Sequence, residues 1–346
     1  MNMKKSKVTL NHGAGGRQMG LLIRELIVEK LSNGILERLD DSAILKNNLS
    51  AGRIAMTTDS YVVSPLFFPG GDIGRLAVSG TVNDLTTSGA RPYALSLAFI
   101  LEEGVSFETI STVVDSIAKA AKEAKVLIVT GDTKVVEAGK GDQIYINTCG
   151  IGFIEDDALQ ISSHNLKKGD VIMVTGPIGN HEIAMLAARK GVDFDMSSVE
   201  SDVAPLCLPM QKVLVKAKQL IHAVKDPTRG GIAGVLLEMS EHSQACIEIK
   251  ESAIPIDKGV HAVCELLGFD PLYLANEGKF VIACEESAVA FVEEFFKDAK
   301  VIGKVSAQAQ AQAQGEGVKK GVFLEVLSGG IRRIAPLETT QLPRIC

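Results

Sequence analysis

Residues 57–91 read TTDSYVVSPLFFPGGDIGRLAVSGTVNDLTTSGAR, and this stretch restricts most strongly what the chain can become. Two acidic positions, Asp59 and Asp84, are joined through a turn at Gly70 and Gly71 and a segment in which Ile73, Leu76, Ala77 and Val82 recur at helical spacing. Asp72 stands where a side-chain oxygen caps a first helical turn, and Gly89 where a helix stops. A helix that opens behind a glycine turn offers free backbone N–H groups and the positive end of its dipole, which suit a phosphate. Carboxylates on both sides of it add the expectation of a divalent cation. Taken alone, the Gly70-Gly71-Asp72 triplet also reads as a plain tight turn between two structural carboxylates, so the rest of the chain has to decide.

The same pattern recurs. Residues 53–59 read as a short strand ending in an aspartate, 92–100 as another strand, and Ser106 caps a helix that places Phe107, Ile110, Val113, Val114, Ile117, Ala120 and Ala121 on one face. The buried strand 126–130 runs into Gly131-Asp132-Thr133-Lys134, so a second strand is expected to end in Gly and Asp, where α/β sheets expose their ligands. Strands follow at 143–153 and 171–175. Past a helix over 182–190, Asp226-Pro227-Thr228-Arg229-Gly230-Gly231 leads into a helix over 232–240 and makes a second glycine-rich helix start. Near the amino terminus His12-Gly13-Ala14-Gly15-Gly16 is a glycine-rich arm with no Gly-Lys-Ser/Thr after it, hence no Walker loop, and Asp40-Asp41 enter an apolar run. The repeat Ala-Gln at 307–314 between two strand-like runs reads as an exposed hairpin loop.

With 346 residues the chain fits two ordinary domains, and 46% hydrophobic residues supply full cores. The polar run at 155–164 places the division near 160: an α/β domain over 1–160, an α+β domain over 161–335, and a tail over 336–346. The formal charge of −6 and 5% aromatic residues, with no basic block, argue against nucleic acid. Six cysteines, no two closer than eighteen positions, form no metal knuckle and read as reduced thiols. No signal-peptide core and no membrane-length apolar run occur, so a cytoplasmic, membrane-free protein is expected.

Asp40, Asp41, Asp59, Asp84, Asp132 and Asp226 lie beside glycine or at expected strand ends. Clustered acids repel one another unless cations neutralise them. Magnesium takes such oxygen ligands and shares phosphate oxygens, so the set with two glycine-rich helix starts points to Mg-ATP. Asp40, Asp41, Asp59, Asp84 and Asp226 are the candidate metal ligands. Gly70, Gly71, Asp72, Asp132, Thr133, Arg229, Gly230 and Gly231 are the candidate nucleotide contacts.

SPLFFPGGDIG at 64–74, NDLTTSGA at 83–90, VTGDTKVVE at 129–137, DPTRGG at 226–231, ANEGK at 275–279 and PRIC at 343–346 together resemble the aminoimidazole ribonucleotide synthetase-like (PurM-like) ATP-binding superfamily. Within it they are similar to the hydrogenase-maturation carbamoyl dehydratases. That resemblance implies an α/β amino-terminal domain sharing a β-barrel across a homodimer, followed by an α+β domain. It implies that a carbamoyltransferase partner (HypF-like) loads Cys346, and that ATP drives loss of water to leave a thiocyanate. The product would be a cyanide ligand passed to an iron scaffold complex (HypC–HypD-like) for a nickel–iron hydrogenase. It also places Lys134 and Glu277 near the carboxamide as bases, and a buried Lys–Glu pair would have displaced pKa values. Two other classes stay open on the residues alone: a synthetase or kinase of the superfamily acting on a free small molecule, and a non-catalytic nucleotide-binding carrier. The terminal thiol favours the first reading over the second. With Pro336 and Pro343 and no hydrophobic period, the tail is expected to be an extended, mobile tether.

Overall fold

The computed structural model describes residues 7–9, 22–33, 52–156, 158–189, 199–306, 320–336, 342 and 345. Asp40, Asp41, Cys346, the glycine arm at 12–16 and the Ala-Gln repeat lie outside the described residues.

Strands β1 (Arg53–Tyr61), β4 (Arg91–Glu102), β5 (Leu127–Val136) and β6 (Ile144–Ile154) form a sheet in the order β1-β6-β4-β5, antiparallel except for the β4–β5 pair. The small hairpin of β2 (Phe67–Phe68) and β3 (Gly71–Asp72) turns the chain into helix α1 (Ile73–Thr87). The parallel pair requires a crossover, and α2 (Phe107–Ala124) supplies it. Its start is fixed by Ser106, whose Oγ accepts from the Thr109 N–H at 3.0 Å, and its expected apolar face is buried as written. The helices cover one side of the sheet. On β1 the other side leaves Ile54 and Met56 62% and 71% exposed.

Both strands expected to end at an aspartate run on. β1 continues two residues past Asp59 to Tyr61, and β5 passes through Gly131-Asp132-Thr133-Lys134 to Val136, in register with β4. Gly131 interrupts nothing because the sheet needs a glycine there: a Cβ would sit 2.1 Å from the Leu97 carbonyl oxygen, next to a register shift in β4.

The second half is built on a seven-stranded sheet in the order β13-β12-β9-β11-β7-β10-β8. Its strands are β7 (Val171–Val174), β8 (Ile221–Lys225), β9 (Cys246–Lys250), β10 (Val281–Cys284), β11 (Lys300–Ser306), β12 (Gly321–Glu325) and β13 (Ile331–Arg333). Helices α3 (Asn180–Ala187), α4 (Cys207–Ala217), α5 (Gly231–Ser243), α6 (Lys258–Leu267) and α7 (Val289–Phe295) accompany it. The runs flanking the Ala-Gln repeat are β11 and β12, and they are not a hairpin. β9 lies between them, antiparallel to β11 and parallel to β12. A connection spanning 307–320 is long enough to step over a strand, roughly 10 Å, so low complexity there does not force a tight turn. Among the described residues no helix is long and apolar enough to cross a membrane.

The core does not split where the sheets do. Met185, Val203, Cys207, Ala275 and Ile345 pack into the cluster under α1 and α2, while Leu85, Ala90 and Ile154 join one with Met210, Val213 and Phe280. The segment from 199 into α4 therefore lies against α1, with its backbone tied there by Asn83. The Asn83 Nδ2 donates to the Ala204 carbonyl at 3.0 Å, and its Oδ1 accepts the Leu206 N–H at 2.8 Å.

Candidate active site

Four carboxylates from four separate elements meet where the two halves touch. Asp59 comes from β1, Asp84 from α1, Asp226 from the turn after β8, and Glu277 from the loop before β10. Each position is fixed locally. Thr57 Oγ1 donates to Asp84 Oδ2 at 2.9 Å. The buried Asn276 holds the Asp226 and Glu277 loops together: its N–H and Nδ2 both donate to the Pro227 carbonyl, at 3.0 and 3.1 Å, and its Oδ1 accepts the Gly179 N–H at 2.8 Å. Asp202 accepts the N–H groups of Glu277 and Gly278 at 3.2 and 3.1 Å and pairs with Lys279 at 3.1 Å. Asp202 has no signature in the sequence, and Thr57 and Asn276 stand inside the stretches 57–91 and 275–279 without a role assigned, because what they hold lies elsewhere along the chain.

The electrostatics are those of crowded acids whose mutual repulsion the nearby Lys225 offsets only in part. Burial, then the neighbouring Asp84, pushes Asp226 up to about 7. Asp84 is also raised, by burial first and by Asp59, against the lowering hydrogen bonds from Thr57 and Asp226. Glu277 is raised well above the carboxylate range by burial, then by Asp226, Asp202, Asp59 and Asp84, and among the described residues its buried Oε1 has no hydrogen-bond partner. Of the four, Glu277 is buried and the three aspartates are half-buried; crowded carboxylates in this state either keep protons or take a cation.

Hard oxygen donors with no cationic neighbour in direct contact fit magnesium. Among the described residues no three His, Cys, Asp or Glu side chains converge into a ready cage. Magnesium does not need such a cage, since each ion can take one or two carboxylates and complete its shell with water and phosphate oxygens.

The two helix starts differ. At α1 the Asp72 Oδ1 accepts the N–H groups of Gly74 and Arg75, at 2.7 and 3.0 Å, so the donors expected to meet a phosphate are used by the cap. Gly70 and Gly71 lie close against Ser201 and Val203. At α5 the cap is Gly230, in a left-handed conformation at φ +81° with no side-chain hydrogen bond, and Arg229 is exposed beside it. This second start, directly after Asp226, has no side-chain cap, although its Gly231 N–H already donates to the Thr228 carbonyl at 2.9 Å.

Asp132 and Lys134 belong to a different place. They sit on the same exposed side of β5 and pair with each other at 3.1 Å, while Thr133 between them faces the core. β5 is the edge opposite β1, three strand spacings or about 14 Å from Asp59. The expected buried Lys134–Glu277 pair is therefore absent: Lys134 is solvated beside Asp132, and Glu277 is sealed among acids.

The tail is not free where it is described. Ile345 is buried in the first core cluster and Leu342 packs against it. Two hydrogen bonds to α3 accompany this, from His181 Nε2 to the Ile345 carbonyl at 2.8 Å and from the Leu342 backbone to Glu182. Apolar contacts at Leu342 and Ile345 outweigh the lack of a hydrophobic period over the preceding residues.

Comparison with known proteins supplies the lineage of this arrangement. The AIR synthase related protein N-terminal domain matches residues 39–154 and the corresponding C-terminal domain residues 167–316. The carbamoyl dehydratase HypE of Azotobacter vinelandii is 42% identical over 352 residues, covering 100% of this chain and 99% of its own. A crystal structure of hydrogenase maturation protein HypE in complex with ATP is 43% identical, covers 97% of this chain and 99% of its own, and superposes with a TM-score of 0.90. A HypE–HypF complex contains a chain 42% identical, covering 91% of this one and 99% of its own, with a TM-score of 0.76. The shared architecture over essentially the whole length makes this chain a member of the HypE carbamoyl dehydratase family, on the PurM-like fold of the AIR synthase related proteins.

Proposed function

We propose that this protein dehydrates a carbamoyl group carried on its own Cys346, with ATP, leaving a thiocyanate that supplies the cyanide ligands of a nickel–iron hydrogenase. The observation that carries the reading is the full-length likeness to carbamoyl dehydratases, joined to a largely half-buried carboxylate cluster at a helix start with no side-chain cap. An amide oxygen is a poor leaving group; phosphorylation by ATP lets it depart as phosphate, with ADP as the other product. The carbamoyl nitrogen gives up both protons, and the sulfur-bound carbon ends as a nitrile. Glu277 accepts the proton released as the oxygen is phosphorylated, the second leaves with the departing phosphate as hydrogen phosphate, and Asn276 and Asp202 hold the Glu277 loop in place. Asp59, Asp84 and Asp226, with Asp40 and Asp41, would hold magnesium, which supplies neutralisation of phosphate charge. The start of α5, with Arg229, Gly230 and Gly231, takes the phosphates, and Gly70, Gly71 and Asp72 of the loop before α1 are further candidate nucleotide contacts, with Asp132 and Thr133. Lys134 has no part within one chain, given its place on the far edge. The two separate sheets support a division into 1–160 and 161–335, with a carrier tail at 336–346.

Mass spectrometry of the carboxy-terminal peptide tests the proposal, after incubation with a HypF-like carbamoyltransferase and its substrates, before and after Mg-ATP. A carbamoyl adduct on Cys346 that loses one water only with ATP is expected. An adduct on another cysteine, or none that dehydrates, overturns it. The HypE–HypF complex supports such a partner, and HypC–HypD would accept the product.

Metal and nucleotide give a second expectation. At a hundredfold excess over Kd, Mg-ATP should stabilise the protein by about 2.7 kcal/mol, and Asp84→Asn should remove most of the corresponding rise in Tm. An unaltered shift excludes Asp84. With Asp226 raised from 3.8 to about 7, the penalty for ionising it in place is absent below 3.8 and complete above about 7. Stability without metal should fall as pH rises through that window, and magnesium binding should strengthen over it by releasing the proton.

A homodimer is the third expectation. Edge strands β1 and β5, and the side of β1 that leaves Ile54 and Met56 exposed, support burial of this sheet against a second copy. Sedimentation should give the dimer mass at micromolar concentration; a monomer there defeats this expectation.

A further inference from the structure

We infer that His181 and Glu182, neighbours on α3, form a clamp that sets the register of the carboxy-terminal tail against the loop carrying Glu277. The inference deepens the proposed function and rests on Cys346 being the carrier.

Three hydrogen bonds in series fix the histidine. Nε2 lies 2.8 Å from the Ile345 carbonyl, an acceptor only, so Nε2 carries the proton and donates. Nδ1 is then the acceptor, and the Ser201 hydroxyl, 2.7 Å away, donates to it. The Ser201 oxygen in turn accepts the Val203 N–H at 3.1 Å. The ring is fully buried, with the Phe68 ring edge-on at 5.4 Å, and burial lowers its pKa, which keeps the neutral tautomer that this series requires. Ser201 is itself placed by Gly70: its N–H donates to the Pro69 carbonyl at 2.8 Å, and a Cβ on Gly70 would lie 2.7 Å from both the N and O of Ser201.

Glu182 supplies the second point. Its Oε2 accepts the Ala275 N–H at 2.7 Å, two residues before Glu277, and the carboxylate also takes a hydrogen bond from the Leu342 backbone. One side chain thus ties the tail to the loop that carries the base, and its neighbour ties the tail one residue before the carrier cysteine. Holding the chain at 342 and 345 limits where a group carried at its end can go, and such restriction is how a tethered group reaches a high effective concentration at a reacting centre.

His181→Phe keeps ring volume and the contact with Phe68 but removes the donor. Losing one such hydrogen bond should speed carboxypeptidase release of the terminal residues by about five- to tenfold. Dehydration of pre-carbamoylated protein should fall by a comparable factor, with the Mg-ATP rise in Tm unchanged and carbamoylation no slower than in the wild type. Ser201→Ala, which leaves Nδ1 without its donor, should move both readouts in the same direction. His181→Gln, whose amide can donate to the carbonyl, should restore part of each. Should His181→Phe fail to fold, Ser201→Ala and His181→Gln carry the test. Unchanged carboxypeptidase release in the variants overturns the clamp, and so does lost dehydration with wild-type release, which would assign His181 to the chemistry. If wild-type protein never dehydrates its tail, the proposed function fails while the release rates still judge the clamp.

Discussion

A Cys346→Ala protein will bind Mg-ATP as the wild type does and will form neither carbamoyl adduct nor thiocyanate, while changing any other cysteine leaves conversion intact. The contrast comes from where the other thiols lie. Cys207, Cys246 and Cys264 are buried, and burial pushes each thiol up to about 11; Cys284, fully enclosed beside Met173, goes to about 12. At pH 8 a thiol of pKa about 11 is ionised to roughly one part in a thousand, and only the thiolate is a useful nucleophile. Cys149 is half-buried in β6, paired on one side with Thr58 of β1 and on the other with Ser96 of β4. Its N–H donates to Ser96 Oγ at 3.1 Å, so the sheet fixes it where a carbamoyltransferase cannot reach the chain end on. The check is a peptide map of each single variant after loading and after ATP. Thiocyanate on Cys149 in Cys346→Ala, or full conversion without Cys346, would sink the carrier assignment.

What the sequence shows well here is local. The cap of α1 by Asp72, the apolar face of α2, and the strands at the sheet centre all follow from side chains within one or two turns of each other. The acidic cluster is partly visible in the same way, since Asp59, Asp84 and Asp226 sit in three recurrent motifs. What it hides is direction and distance across the fold. Asp132 and Lys134 resemble strand-end residues only because Gly131 resembles a stop; a close approach by Leu97 turns that glycine into strand, and the pair moves to the far edge. Gly70 and Gly71 resemble a phosphate turn, yet their missing side chains make room for Ser201 and Val203, 131 and 132 positions away in the sequence. Asn276, Asp202 and His181 are clamps whose partners come from other loops, so no spacing announces them. The tail looks featureless because its anchoring uses a backbone carbonyl and one buried isoleucine.

Glu277→Gln should leave carbamoylation of the tail at the wild-type rate, slow dehydration by about a hundredfold or more, and raise Tm. The activity loss follows from the role: a positioned base contributes about 10²–10⁴ in rate, and an amide of the same shape accepts no proton. The stability gain follows from the surroundings. Glu277 is 4% exposed, its Oε1 meets no donor among the described residues, and burial and four aspartates all press it towards the protonated form. A neutral amide there relieves the repulsion with Asp226 and Asp84, and its N–H₂ can donate to those carboxylates. Opposite signs in activity and stability are the mark of a group retained for chemistry at the expense of the fold. An Ala at 277 would not serve, since a cavity would mask the gain. Melting curves without nucleotide, set beside single-turnover dehydration of pre-carbamoylated protein, give both signs from one preparation. Wild-type dehydration in Glu277→Gln removes it as the base. A lower Tm with lost activity would make it a structural acid whose proton, shared with a neighbour, holds the loop.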